Sequence, residues 1–460
     1  MKPIIKKFDL LVVIVCTVFL FFRFFNLQNR IVFDWDQETL AYQMRNLILH
    51  HDIFLIGHRA TDVKGFYFGP YYEYLQVPFF FLANLNPFAL LYSIVTINIA
   101  FLMLAYFVVK KLFDQAIALG FIFIWAVNST LISYDITMWA PIIIPIGMLG
   151  TYYLLSEIYN KGSLKNWIIL GLWLGFFTQV HSLFFAVDLF AASFLTHLLM
   201  TKPKQREKLF TKVLLLGGSA SLFTLPLVLF DLKHDFLNLR LVFEYFFHRT
   251  QGQVKFGESL QVFTNFMNPL IPFNNLYLTG LFYFTFLGLL IYQVRKAKGY
   301  HQSFYVASLV LWISTALVYL KFTQRPSEYY FLYLYPIMTL TLLKVVQTKM
   351  NRGILMLCIF ILFVNAGRLS TATETYNRGL HEKMQTIQIV KRLVGNQKFN
   401  VAYDLPLGLA TGYDYLFDYY HIPPSKNPKD PLVILRSPAQ KGDIVISQLG
   451  IFIPSTLTNK

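Results

Sequence analysis

Residues 8–44 read FDLLVVIVCTVFLFFRFFNLQNRIVFDWDQETLAYQM. Their first part, 8–26, is an apolar run, and about 20 such residues are enough to cross a bilayer as a helix. Lys2, Lys6 and Lys7 precede the run as in a signal peptide. No small-x-small cleavage site follows "FFRFFNLQNR", so the run is expected to stay as a first span, with Arg23 snorkelling at its outer end. Directly behind it stand three carboxylates, Asp34, Asp36 and Glu38. A span followed at once by acids sets the two questions for the chain: what kind of fold places them there, and what chemistry they do.

Composition answers the first. Of 460 residues, 56% are hydrophobic, 18% aromatic and only 14% charged, and the mean hydropathy is +0.50. A soluble chain carries about 25% charge, so this one is a polytopic membrane protein, with its 47 Phe and 28 Tyr suited to lipid-facing walls and interfacial belts. Apolar runs fall at 8–26, 88–109, 116–134, 140–157, 166–180, 182–200, 212–230, 276–294, 302–320, 329–347 and 353–367, about eleven transmembrane helices. The net charge of +16 does not indicate nucleic acid, because the basic residues lie between the apolar runs and not on one soluble face. With the N-terminus cytoplasmic, every second connection is basic: Lys110/Lys111, Lys161/Lys165, "KPKQREK" at 202–208, "RKAK" at 295–298 and Lys349/Arg352. The positive-inside rule then puts the loop 27–87, the loop 231–275 and the C-terminal part outside a plasma (inner) membrane. Cys16 and Cys358 both fall in expected spans and imply neither a disulfide nor a metal site.

Loops longer than roughly 12–15 residues usually have a function. In 27–87, Asp36 is expected as an N-cap, with Leu40, Met44 and Leu47 giving an amphipathic helix one apolar stripe along the membrane surface. "GHRATDVKG" (57–65) reads as a polar loop and "FYFGPYYEYLQVPFFF" (66–81) as an aromatic interfacial element. The expected domains are a membrane module, 1–367, and a small soluble α/β domain, 368–460. The latter has a helical stretch from 373 and strand-like runs "NVAYDL", "PLVILR" and "DIVISQL" between Pro-rich turns.

The three acids have two readings. In one they are a helix start, favoured by the helix dipole and solvated. In the other Asp36 is a general base for an acceptor arriving at the outer surface, and Asp34 shapes the site or helps hold a divalent cation, Mg²⁺ or Mn²⁺, through carboxylate and phosphate oxygens. Nothing else in the sequence requires a cofactor.

The chain resembles a known superfamily at these residues. "FDWDQETLAYQMRNLI", "GPYYEYLQVPFF", "YDITMWAPIIIP", "TQVHSLFF" (178–185), "FDLKHDFLNLR" (230–240) and "SEYYFLYLYP" (327–336), in that order, are similar to the GT-C glycosyltransferases of the dolichyl-phosphate-mannose protein mannosyltransferase superfamily, particularly the bacterial members that include aminoarabinose transferases. The resemblance implies an enzyme that takes a sugar from a polyprenyl-phosphate donor and transfers it to a lipid, glycan or protein acceptor outside the bilayer. It places the catalytic Asp of the first outer loop at Asp36, followed by Gln37 where many relatives have Glu. A second acid would then come from Asp34, Asp62 or Glu73. One base and direct displacement imply inversion at the anomeric carbon. For donor binding the matched segments offer Tyr71, Glu73, Glu328 and Tyr329, and the cations expected at the phosphate are Arg325 and Lys321, then Lys64 and Arg59. Interfacial snorkelling or an aromatic belt is the other reading of Lys321, Arg325, Tyr329 and Tyr330. Gln179 and His181 match the family's Q-x-H and are expected to line a cavity, since an ionisable group facing lipid is costly. His50 and His51 are expected on a solvated helix end, and His58 lacks the spacing of a zinc ligand. A polyprenyl-lipid or polysaccharide flippase is the rival from another class; its inverted repeats and midplane charges are not seen in the sequence. A purely structural membrane protein would not need acids facing a cavity.

Overall fold

The computed structural model describes residues 7–60, 65–247, 270, 275–320, 328–374, 379–406, 408–454 and 457. Among these, eight helices are long and apolar enough to cross a membrane: Leu10–Asn29, Ala89–Leu112, Ala140–Lys161, Phe184–Thr201, Leu209–Lys233, Leu276–Lys296, Tyr300–Tyr319 and Arg352–Thr373. Three other expected spans take a different form. The third is two helices, Gln115–Ala126 and Ser129–Asp135, bent by 80° at their junction. The fifth and tenth are the shorter apolar helices Leu164–Thr178 and Leu334–Val346. The chain is a polytopic helical membrane protein with a small C-terminal sheet.

Arg23 explains the bend. It lies in α1 (Lys7–Phe24) and is fully buried, so it does not snorkel to the interface. Its guanidinium donates to the carbonyls of Trp125 (2.9 Å) and Ala126 (3.2 Å), the acceptors released where the helix breaks, and to Asp135 Oδ2 at 2.7 Å. Trp125 Nε1 donates to the same carboxylate oxygen at 3.0 Å, and Asn128 caps the second half by accepting from Leu131 N–H. In a low-dielectric bundle this pairing lets both the charges and the open carbonyls persist, because no water is there to satisfy them. Arg30 does the same seven residues on, donating to the carbonyls of Phe22, Phe25 and Ala372 and so tying the end of α1 to the end of the last long helix.

After the first span comes α2 (Trp35–His50), in which Leu40 and Met44 of the expected stripe are buried together with Ala41, while Leu47 is only partly buried. Beyond the last span a helix, Leu380–Val394, precedes a four-stranded sheet: β1 (Asn400–Asp404), β2 (Leu432–Arg436), β3 (Ile444–Ile446) and β4 (Leu449–Phe452), in the order β1-β2-β4-β3. β1 and β2 are parallel with Val401 opposite Val433, and the other pairs are antiparallel. Val433, Leu435 and Ile451 are fully buried in the same apolar cluster as Ile387, Val390 and Phe417. That cluster continues without a break through Phe33, Leu40 and Tyr415 into the membrane bundle, so this sheet and α2 share one core.

Candidate active site

Asp34, not Asp36, occupies the N-cap of α2, in extended conformation at φ −112°, and the Gln37 Oε1 accepts from the Asp34 N–H at 3.0 Å. A residue three beyond the cap reaching back in this way fixes the helix start. Gln37 is buried and its Nε2 donates to the Met138 carbonyl at 2.8 Å, stapling α2 to the "TMWAP" segment. Glu38 is not the solvated charge expected: it is buried, and its two oxygens accept from the backbone N–H groups of Gly412 (2.8 Å) and Tyr415 (3.0 Å). The Asp34 Oδ1 lies 2.8 Å from the ammonium of Lys383. Asp36, between them in the first turn, takes part in none of these bonds.

Neighbouring protein crowds Asp36 without covering it. Its side chain keeps access to solvent, yet loss of solvation from the enclosing protein raises its carboxyl above the ordinary aspartate range; the His58 charge opposes this and the Asp34 charge adds to it. Exposure and desolvation together describe a carboxylate that solvent reaches while neighbouring protein partly encloses it. The Tyr72 and Tyr329 hydroxyls, both raised first by burial, also feel the Asp36 charge, which sets them within electrostatic reach of it.

His58 anchors the opposite wall. Glu73, almost fully buried, accepts from the His58 backbone N–H at 2.8 Å and pairs with its Nδ1 at 3.0 Å through the same oxygen. Gly57 permits this closeness, since a Cβ there would sit 2.5 Å from the Gly69 carbonyl and 2.6 Å from the Glu73 Oε2. The His58 ring lies 5.2 Å from Phe68 and 6.0 Å from both Tyr72 and His181, centre to centre. His181 in turn lies 6.4 Å from Tyr329, whose ring meets Trp139 edge-on at 4.6 Å. Burial first, and the His58 charge second, lower His181 to about 3, so it is a neutral imidazole, its Nδ1 accepting from the Leu183 N–H. Among the described residues, five buried polar atoms of this wall, His58 Nε2, Tyr72 Oη, Glu73 Oε2, Trp139 Nε1 and Gln179 Oε1, have no hydrogen-bond partner, which leaves them available to a polar ligand or water.

ArnT from Cupriavidus metallidurans bound to undecaprenyl phosphate superposes with a TM-score of 0.58 at 11% identity, over 94% of this chain and 93% of that one. Its apo state gives 0.59 at 10% identity, over 98% of both chains. The chain has the GT-C fold. The oligosaccharyltransferase AglB from Archaeoglobus fulgidus, in complex with an inhibitory peptide and a dolichol-phosphate, matches at 0.51 and 14% identity over 94% of this chain and 61% of its own, longer one. No protein-family model and no curated protein matches the sequence, so the likeness is one of fold.

On this GT-C scaffold the structure brings together Asp34, Asp36, Glu73, Gln179, His181 and Tyr329 from four separate stretches of sequence. Tyr71 instead packs between Phe176 and Phe223, at 5.9 and 5.1 Å. Arg59 is exposed, stacks over Tyr67 at 4.6 Å and donates to its hydroxyl. Asp62, Lys64, Lys321, Arg325 and the side chain of Glu328 lie outside the described residues. Asp34 is engaged by Lys383, and among the described residues no group of three or more His, Cys, Asp or Glu is arranged to hold a metal. His58, Tyr72, Trp139 and Lys383 were not expected at the site. For His58 the signal was its place in a glycine-flanked loop of an extracytoplasmic segment; for Lys383 the sequence carries none.

Proposed function

We propose that this protein is a membrane glycosyltransferase of the plasma membrane that moves a sugar from a polyprenyl-phosphate donor to an extracytoplasmic lipid, glycan or protein acceptor, with inversion. The observation that carries the proposal is Asp36: a solvent-accessible carboxylate, partly desolvated by neighbouring protein, with the His58, Tyr72 and Tyr329 side chains within electrostatic reach beside a membrane bundle. The GT-C neighbours support the donor class, since ArnT was solved with undecaprenyl phosphate and AglB with dolichol-phosphate. In the step, the acceptor oxygen forms a bond to the anomeric carbon as the bond from that carbon to the phosphate oxygen breaks. The acceptor proton passes to Asp36, and polyprenyl phosphate leaves as the anion. A phosphate is already a good leaving group, so alignment and proton removal are the main tasks. A desolvated carboxylate is a stronger base than one in water, which suits a hydroxyl acceptor. In the His58 wall the Tyr72 hydroxyl and Trp139 Nε1 are donors available to sugar or phosphate oxygens, and Glu73 Oε2 and Gln179 Oε1 are acceptors for sugar hydroxyls.

The test is purified full-length protein in detergent, supplied with radiolabelled polyprenyl-phosphate sugars and extracts of envelope lipids, glycans and proteins. Transfer with inverted anomeric configuration is expected, in EDTA as well as in Mg²⁺ or Mn²⁺. Retention at the anomeric centre would overturn the single-base step. Movement of the carrier lipid across vesicles with no transfer to any acceptor would favour the flippase reading.

A further inference from the structure

The first turn of α2 is gripped from both sides of Asp36 by residues far downstream. Lys383, fully buried in the helix Leu380–Val394, donates to the Phe33 carbonyl (2.6 Å), the Asp34 carboxylate (2.8 Å) and the Thr411 carbonyl (2.8 Å). Three acceptors for three ammonium protons leave the cation saturated and fixed in direction. On the other side Glu38 receives the Gly412 and Tyr415 N–H groups. Gly412 stands at φ +84°, and a Cβ on it would lie 2.0 Å from the Phe33 carbonyl oxygen, so only glycine lets this segment approach so closely. The Leu380 N–H adds a bond to the Ile31 carbonyl at 2.9 Å. Residues 31–38 are therefore held by 380–415 at four points, while Asp36 itself is left out of the clamp.

We propose that Lys383 and Glu38 are positioning residues for transfer: they lock the first turn of α2 to the 411–415 segment, and the Lys383 ammonium balances Asp34, so that Asp36 meets substrate at a fixed angle beside a neutralised neighbour. The inference rests on Asp36 being the base and extends it by giving the C-terminal region a part in the reaction. Buried ion pairs that also carry backbone hydrogen bonds are suited to fixing one arrangement of a segment. A base displaced by about 1 Å loses on the order of a hundredfold in rate. Among the described residues neither Lys383 nor Glu38 hydrogen-bonds to a side chain of the His58 wall, so the clamp is expected to act on turnover more than on donor affinity.

The experiment compares kcat and the donor KM for wild type, Lys383→Met, Lys383→Arg, Glu38→Gln and Asp36→Asn in the full-length protein, with a polyprenyl-phosphate sugar as donor. Lys383→Met and Glu38→Gln are each expected to lower kcat about tenfold or more with the donor KM within about threefold, and Lys383→Arg to recover most of the lost kcat. A loss confined to KM, wild-type kcat in both variants, or no recovery by Arg would overturn the clamp. If Lys383→Met does not give monodisperse protein, the nearly isosteric Glu38→Gln decides by the same split. Full activity of Asp36→Asn would overturn the base assignment itself, whereas an inactive Asp36→Asn beside wild-type kcat in the other variants would overturn the clamp alone.

Discussion

Asp36 and His181 illustrate opposite uses of burial. Asp36 must be ionised to accept a proton, and desolvation holds its carboxyl above the ordinary aspartate range. Transfer should therefore fail on acidification at a higher pH than a solvated aspartate would allow, which the acid limb of kcat/KM against pH measures. His181 is pushed the other way, to about 3 from 6.5. The unfolded chain takes up a proton there near 6.5 and the folded one does not, so its contribution to stability is full above 6.5 and is lost as the pH falls toward 3. His181→Asn should make the melting temperature less sensitive to acid over that window; an equal fall in both proteins would contradict the buried neutral imidazole. Gly57→Ala should cost about 1–3 kcal/mol in thermal unfolding and reduce transfer, because the new methyl meets the Gly69 carbonyl and the carboxylate that holds His58. Of these residues only Asp36 and His181 stood out in the sequence, by their place after an apolar run and in a Q-x-H. His58 was legible only as a histidine in a loop, since its significance depends on Glu73 and His181 folding against it.

At the level of elements, hydropathy is a local property, and the apolar runs read from the sequence correspond one by one to long helices, a broken pair and two short helices. The break itself was not legible. "AVNST" at 126–130 contains neither Gly nor Pro, and the carbonyls it releases are satisfied by Arg23, about a hundred residues earlier. Truncating Arg23 to Ala should destabilise the protein by about 3–5 kcal/mol, because Asp135 is left as a buried, uncompensated charge. The double variant Arg23→Met, Asp135→Leu should recover part of that loss in thermal unfolding. A double variant no better than the single would mean that the carbonyl contacts, and not the ion pair, dominate. The start of α2 was misread for a similar reason: acids at 34, 36 and 38 are equally plausible caps by spacing, and only the bond from the Asp34 N–H to Gln37 separates them.

For the whole molecule, the partners of Glu38 and Asp34 lie 374 and 349 residues downstream, beyond the reach of any periodicity or motif. Sequence could place the membrane bundle and a soluble tail, but not show that the tail closes on the first outer loop. The positive-inside pattern predicts that this closure is extracytoplasmic. In a background with Cys16 and Cys358 replaced by Ala, a membrane-impermeant maleimide should label Lys441→Cys in right-side-out vesicles and Lys298→Cys in inverted ones, both positions being exposed. The opposite pattern would invert the topology. The account depends most on a single carboxylate acting at the membrane rim, and transfer by Asp36→Asn measures it most directly. With the variant purified to the same yield and melting temperature as wild type, we predict loss of sugar transfer from the polyprenyl-phosphate donor by about a hundredfold or more, as for removal of a general base; wild-type turnover in Asp36→Asn would contradict it.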